Sequence, residues 1–182
     1  MPRHSHAIPT VTQPELLAAQ DRFIGAWGQM GSSWGISRTM AEVHALLYIT
    51  GRPPNTDEIM ERLSISRGNA SMSLRSLVEW GVVSRVHKRG DRKEYFQAEL
   101  DVWTMARTIT RERLRREILP VLATLYEIRD TTGEAAKSAL HAPVPVTGET
   151  VPPAEIASHN QRLDELLALV QTIDRLGERF VG

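Results

Sequence analysis

The chain has 182 residues, enough for one full domain with appended helices, and its 41% hydrophobic and 24% charged residues fit a soluble globular protein. It has no cysteine, which excludes a disulfide framework, a thiolate metal site and a cysteine nucleophile. Its 22 basic and 22 acidic residues balance; this argues against a nonspecific nucleic-acid coat but leaves room for a reader whose charge is local.

No apolar run approaches the ~18 residues of a membrane span. The N-terminal stretch MPRHSHAIPTVTQPE lacks a signal-peptide core, so the expected location is the cytoplasm. Residues 1–13 read as a disordered polar arm. If Met1 is removed, Pro2-Arg3-His4 behind a free amine has the form of a Cu(II) or Ni(II) chelate; a solvated tail is the plainer reading.

Residues 14–50 are expected to hold two core and dimerisation helices. Pro14 opens the first, which runs to about Met30 and places Leu16, Gln20, Phe23, Trp27 and Met30 on one face, with Leu17 and Ile24 alongside, before the GSSWG segment from Gly31 to Gly35 breaks it. The second starts at Ser37, carries Met40, Val43, His44, Leu47 and Tyr48 as its buried stripe, and stops before Gly51. His44 on that stripe reads as a satisfied core histidine before it reads as a ligand.

Residues 51–100 carry the organising signal, a helix, a tight turn, a second helix and a hairpin. After a rigid Arg52-Pro53-Pro54 connection, Asn55 and Glu58 form a capping box, with Ile59 and Leu63 turned inward. Asp57, Glu58 and Glu61 read as helix-start charges favoured by the dipole. Ser64, Ile65 and Ser66 make the turn, and Ser66 caps a second helix over about 66–80. Ala70, Leu74, Leu77 and Val78 face inward, while Gly68, Asn69, Met72 and Arg75 lie opposite with Ser71 on the flank. Gly81 stops this helix, and the β-branched run after it starts a hairpin over 82–98. From Val82 to Lys93 there are five basic residues, Arg85, Lys88, Arg89, Arg92 and Lys93, against Asp91 alone, a net +4 in a neutral chain.

Residues 101–182 are expected to supply C-terminal dimerisation helices. Asp101 caps a helix of about thirty residues whose Pro120 should kink or divide it. Arg107, Arg111, Arg113, Arg115 and Arg116 make it cationic; an ion-paired solvated face with Glu112 and Glu117 is the first reading, phosphate or dimer contacts the others. The composition shifts from about Gly133, and the prolines of about 141–153 mark a linker. A last helix from Ala154 to Phe180 carries Leu163, Leu166, Val170, Ile173 and Phe180, with Gly177 an imperfection in the seam. It is too apolar to lie alone, and a second copy is the simplest cover.

No glycine-rich phosphate loop, HExxH or GxSxG is present, so the chain is not read as an enzyme, and no metal or cofactor is called for. The chemistry that stands out is DNA reading by a winged helix-turn-helix, a mainly α fold with a small β-hairpin and flanking dimerisation helices. Ser66, Arg67, Gly68, Asn69, Ser71, Met72 and Arg75 are the candidate groove and phosphate contacts, and Lys88, Arg89, Arg92 and Lys93 the wing contacts. The alternative is a winged helix that binds protein and not DNA.

The runs SRGNASMSLRSLVEWGVV and KRGDRKEYFQAELDVWTMARTITRERLRREI resemble the GbsR-type branch of the MarR-like winged-helix transcriptional regulators, over about residues 20–130. The resemblance implies that Arg92 enters a minor groove while Asp91 holds it. It also implies a homodimer, built from the N-terminal helix and the helices after the wing, on a pseudo-palindromic operator of double-stranded DNA. Members of this branch are associated with choline and glycine betaine uptake or synthesis. The reading that follows is a ligand-responsive repressor. Trp27, Trp34, Tyr48, Trp103 and Tyr126 are candidate walls of an effector pocket for a quaternary ammonium, with core packing as the alternative.

Overall fold

The computed structural model describes residues 12–139 and 151–182, with side chains described to residue 133 in the first stretch. The polar arm before Thr12, its possible chelate, and residues 141–150 of the proline-rich linker lie outside the described residues. What is described is mainly helical with one antiparallel hairpin, and it divides into two compact units after Met105.

In the first unit, α1 (Gln13–Ser33) starts on a capping box in which Thr12 and Glu15 satisfy each other's backbone donors, with Pro14 in the first turn. The helix does end within the GSSWG segment, but three residues later than the expected Met30, at Ser33. Gly31 is buried inside the helix, and a Cβ there would stand 2.6 Å from the Ala41 Cβ; at Gly28 it would stand 2.6 Å from the Glu42 side chain. These glycines let α1 approach α2 (Arg38–Thr50) closely, and the stop belongs to Gly35, whose φ is +75°. The expected stripe at the start of α1 is also revised: Leu16 and Leu17 are exposed, and burial begins with Ile24.

Helix α2 is the centre of the unit. It is capped by Ser37, ends at Gly51 with φ +64°, and packs on α1, α3 (Thr56–Leu63), α4 (Arg67–Glu79) and the hairpin. Being covered on several sides, it buries Ala41, Ala45 and Leu46 as well as the expected Met40, Val43, His44 and Leu47. Ile59 of α3, Ala70, Leu74 and Leu77 of α4, and Val82, Val83, Phe96 and Ala98 complete this core. Fully burying side chains such as Leu47 and Ile59 stabilises the unit by about 1.5–3 kcal/mol each.

The hairpin pairs β1 (Val83–His87) with β2 (Glu94–Ala98), from Val83 opposite Ala98 to His87 opposite Glu94. The Arg52-Pro53-Pro54 connection does more than stiffen the chain. The Pro54 carbonyl accepts from the Phe96 N–H at 3.0 Å and Asn55 bridges to Tyr95, so the outer edge of β2 is partly paired.

The division between the units falls within α5 (Val102–Arg113). A π-helical turn over Leu114–Ile118 follows, then α6 (Leu119–Ala139) and α7 (Pro153–Val181). The Leu119 N–H reaches five residues back to the Leu114 carbonyl. This wide turn is where the helix accommodates Pro120, which brings no N–H and crowds the turn before it. Contrary to expectation, α6 runs through Gly133 to Ala139. Leu122, Leu125, Leu167 and Val170 form the core between α6 and α7, with Ile118 and Leu163 against it. Thr132 donates to Asn160, and Arg129 holds Asp164 at 2.6 Å across the two helices.

The rhythm expected for the last helix separates into two faces. Leu163, Leu167 and Val170 pack within the chain, whereas Leu166, Leu169, Ile173, Leu176 and Phe180 are exposed. Gly177 is no imperfection: a Cβ there would lie on the Leu114 side chain, so the missing side chain admits the π turn.

Candidate nucleic-acid interface

Asn55 caps α3 by accepting from the Asp57 and Glu58 N–H groups, and Glu58 returns a carboxylate to the Asn55 N–H at 2.7 Å. Helix α3 stops at Ser64, a non-glycine residue at φ +53°, and the half-buried Ile65 N–H reaches back to the Met60 carbonyl. Ser66 then accepts from the Asn69 N–H at 3.3 Å and starts α4. The turn thus holds two short helices at a fixed angle around Ile59, Ala70 and Leu74.

With Ala70, Leu74 and Leu77 buried, the opposite side of α4 is open. Ser66, Arg67, Gly68, Asn69, Ser71, Met72 and Arg75 are all exposed, Met72 by 65% of its surface. Gly81, at φ +75°, turns the chain directly into β1.

The six-residue loop from Lys88 to Arg92 and Lys93 is braced from within. The Tyr95 hydroxyl donates to Asp91 Oδ2 at 2.5 Å, and Asp91 Oδ1 accepts from the Lys93 N–H at 2.9 Å. These bonds hold the Asp91 carboxyl below the usual carboxylate range, the Tyr95 hydroxyl first among the causes, and the same bond raises the Tyr95 phenol. The Lys88 ammonium stands 3.6 Å from the centroid of the Tyr95 ring. Gly90, at φ +85°, allows the tip to turn. Asp91 therefore supports the wing through Tyr95 and the loop backbone; Tyr95 had no motif to mark it in the sequence.

The cations of the region divide into two groups. Arg85 faces Glu94 at 3.8 Å, and Asp57 accepts from Arg67 at 2.7 Å and from Lys93 at 3.4 Å. Arg75, Arg89 and Arg92 make no ion pair among the described residues. The +4 of the hairpin is thus reduced where it meets α3 and β2, and Arg89 and Arg92 at the tip, like Arg75 on α4, are left without an ion pair among the described residues. Asp57 joins α3, α4 and the wing, a role that its position in a helix start does not reveal. Its carboxyl is held low by the bonds from Lys93 and then Arg67.

Of the five aromatic residues considered for an effector, the structure brings Trp27 and Tyr48 to one cluster. Trp27 lies 6.1 Å and Tyr48 6.4 Å from the His44 ring, with Phe23 against both, an α1–α2 packing contact. Trp34 is half exposed at the end of α1 and Trp103 is exposed in α5. Tyr126 belongs to the second unit, where it accepts from the Gln171 amide. On α5 and the π turn, Glu112 pairs with Arg115 and Arg116, and Glu117 with Arg113, as an ion-paired helix face would have it. Among the described residues no group of His, Asp or Glu side chains is arranged to hold a metal ion, and no helix is long and apolar enough to cross a membrane.

A relative from Bacillus subtilis (strain 168), the HTH-type transcriptional regulator YvaV, is 23% identical over 118 residues, which span 57% of this chain and 67% of the relative. A solved structure described as that of a transcriptional regulator aligns over 90% of this chain and 96% of its own, with a TM-score of 0.55 and 18% identity. That likeness is one of fold. The model of the MarR family matches residues 34–94, from the end of α1 to the first residue of β2. Over that span the chain is similar to the MarR family, and the span covers the helix-turn-helix and the wing loop of a mainly α structure with one two-stranded hairpin among the described residues.

Proposed function

We propose that this chain is a homodimeric, sequence-specific DNA-binding transcriptional regulator of the GbsR-type branch, a cytoplasmic repressor tuned by a small ligand. The observation that carries DNA binding is the pairing of an exposed, small and polar α4 face with a wing tip whose Arg89 and Arg92 make no ion pair among the described residues. Helix α4 enters the major groove, where Arg75 reads a base edge, and the small residues near Ser66 bring the backbone close to phosphates. The wing follows the backbone, with Arg92 in the adjacent minor groove and Asp91 and Tyr95 keeping the loop in shape.

The homodimer reading is supported by the uncovered apolar face of α7, Leu166, Leu169, Ile173, Leu176 and Phe180, and by the exposed Leu16 and Leu17 of α1. Two reading helices then stand about one DNA turn apart, ~34 Å, on a pseudo-palindromic operator. The branch and the repressor sign rest on the resemblance of residues 66–83 and 88–118, as does a response to a choline-like ligand. The test is binding of the purified chain to a duplex from its own promoter region across a salt series. Binding should weaken steeply with salt, and Arg92→Ala should weaken it at least tenfold. Arg92→Ala binding as tightly as the wild type would overturn the wing assignment. A protein captured by the chain with no salt-dependent binding to any duplex would favour the protein-interaction alternative.

A further inference from the structure

Asp57 stands in the first turn of α3 and accepts from two cations that come from different elements. Arg67 is the first residue of α4, and Lys93 is the last residue of the wing loop before β2. All three side chains are more than half exposed, at 52%, 69% and 55%. Exposed pairs of this kind contribute little to stability, and the helix dipole favours an acid in this turn without requiring that it meet two cations. What sets Asp57 apart is its surroundings: α4 and the wing each present a cation to it.

We infer that Asp57 restrains nonspecific DNA affinity by occupying Arg67 and Lys93, so that phosphates must compete for them. The inference rests on the reading of this chain as a DNA binder and deepens it. Phosphate contacts add affinity for any duplex and carry no sequence information. Each one formed makes the logarithm of the binding constant fall more steeply with the logarithm of salt, by about 0.9. An acid that withholds two such contacts lowers generic affinity and leaves base reading by Arg75 unaltered. Because those contacts are sequence-independent, operator and random duplex weaken together, and the chain is less readily held by any DNA. Arg89 and Arg92, which no acid pairs among the described residues, supply the electrostatic part of binding.

The experiment compares full-length wild type, Asp57→Asn, Lys93→Met and the double variant on the promoter duplex and on a random-sequence duplex, each over a salt series. Asn keeps an oxygen at the helix start, and matched melting curves exclude a folding effect. Asp57→Asn should bind both duplexes several-fold more tightly, with a salt slope steeper by about one to two, and should keep the wild-type ratio between them. Lys93→Met should cost little in the wild-type background and several-fold in the Asp57→Asn background. An Asp57→Asn variant with unchanged or weaker random-duplex binding, or equal costs of Lys93→Met in both backgrounds, overturns the role given to Asp57. Wild type that binds neither duplex in a salt-dependent way instead overturns the DNA-binding reading itself.

Discussion

Arg75 stands near the middle of the open face of α4, and among the described residues no acid holds its guanidinium in an ion pair. A bidentate contact to guanine needs a side chain of that kind, since no bridge has to break first. Arg75→Ala should cost about 1–3 kcal/mol at the operator and flatten base preference at one position of each half-site; a panel of singly substituted duplexes measures both. His44 makes a different point at the same scale. It is 4% exposed, its Nε2 has no hydrogen-bond partner among the described residues, and burial pushes its pKa down to about 4 from 6.5. The folded state therefore binds no proton there, while the unfolded chain binds one below its ordinary pKa. Stability from this site is complete above about pH 6.5 and is lost as pH falls toward about 4. Unfolding experiments should show a loss of about 2 kcal/mol between about pH 7 and about pH 5. In His44→Leu that decline should flatten. The stripe that contains His44 was legible from its spacing, but the missing partner of Nε2 was not, because hydrogen bonding depends on what other elements bring to it.

At the scale of elements, caps and stops were the most legible features, since each is a local contest for backbone hydrogen bonds. Asn55 with Glu58, Ser66, Gly51 and Gly81 act where their chemistry says they should. The glycines inside helices were not legible in this way. Gly31 and Gly133 have the composition of breakers, yet both are helical, and Gly31 is there for the approach of α2. A contrast within α1 tests this. Gly25 has open space where a Cβ would stand, so Gly25→Ala should stabilise by about 0.5–1 kcal/mol through helix propensity. Gly31→Ala meets Ala41 at 2.6 Å and should destabilise by about 1–3 kcal/mol in spite of the same propensity gain. Thermal melts of the two variants decide it. The wing shows the same limit on reading: the net charge was plain in the sequence, but the division of its cations between paired and unpaired was not, because Asp57 is 36 residues from Lys93.

At the scale of the whole molecule, Leu166, Leu169, Ile173, Leu176 and Phe180 of α7 form an apolar face left uncovered among the described residues. Leu169→Glu with Leu176→Glu places charge on that face without touching Leu167 or Val170 of the inner seam. Light scattering at micromolar concentration should give a dimer for the wild type and a monomer for this variant, and the variant should lose operator affinity with its fold retained. A wild-type monomer would remove the dimer from the proposal. What the sequence determined by itself was whatever rests on neighbours along the chain: helix starts, the turn at Ser64–Ser66, the inward faces of α3 and α4, and the positive wing. Tertiary structure alone decided which glycines are contacts, which apolar face of α7 is spent inside the chain, and which cations are held by Asp57 and Glu94. The physical reason is the same in each case. Periodicity states that a residue has a face and a charge, but only packing brings the distant group that fills the face or neutralises the charge.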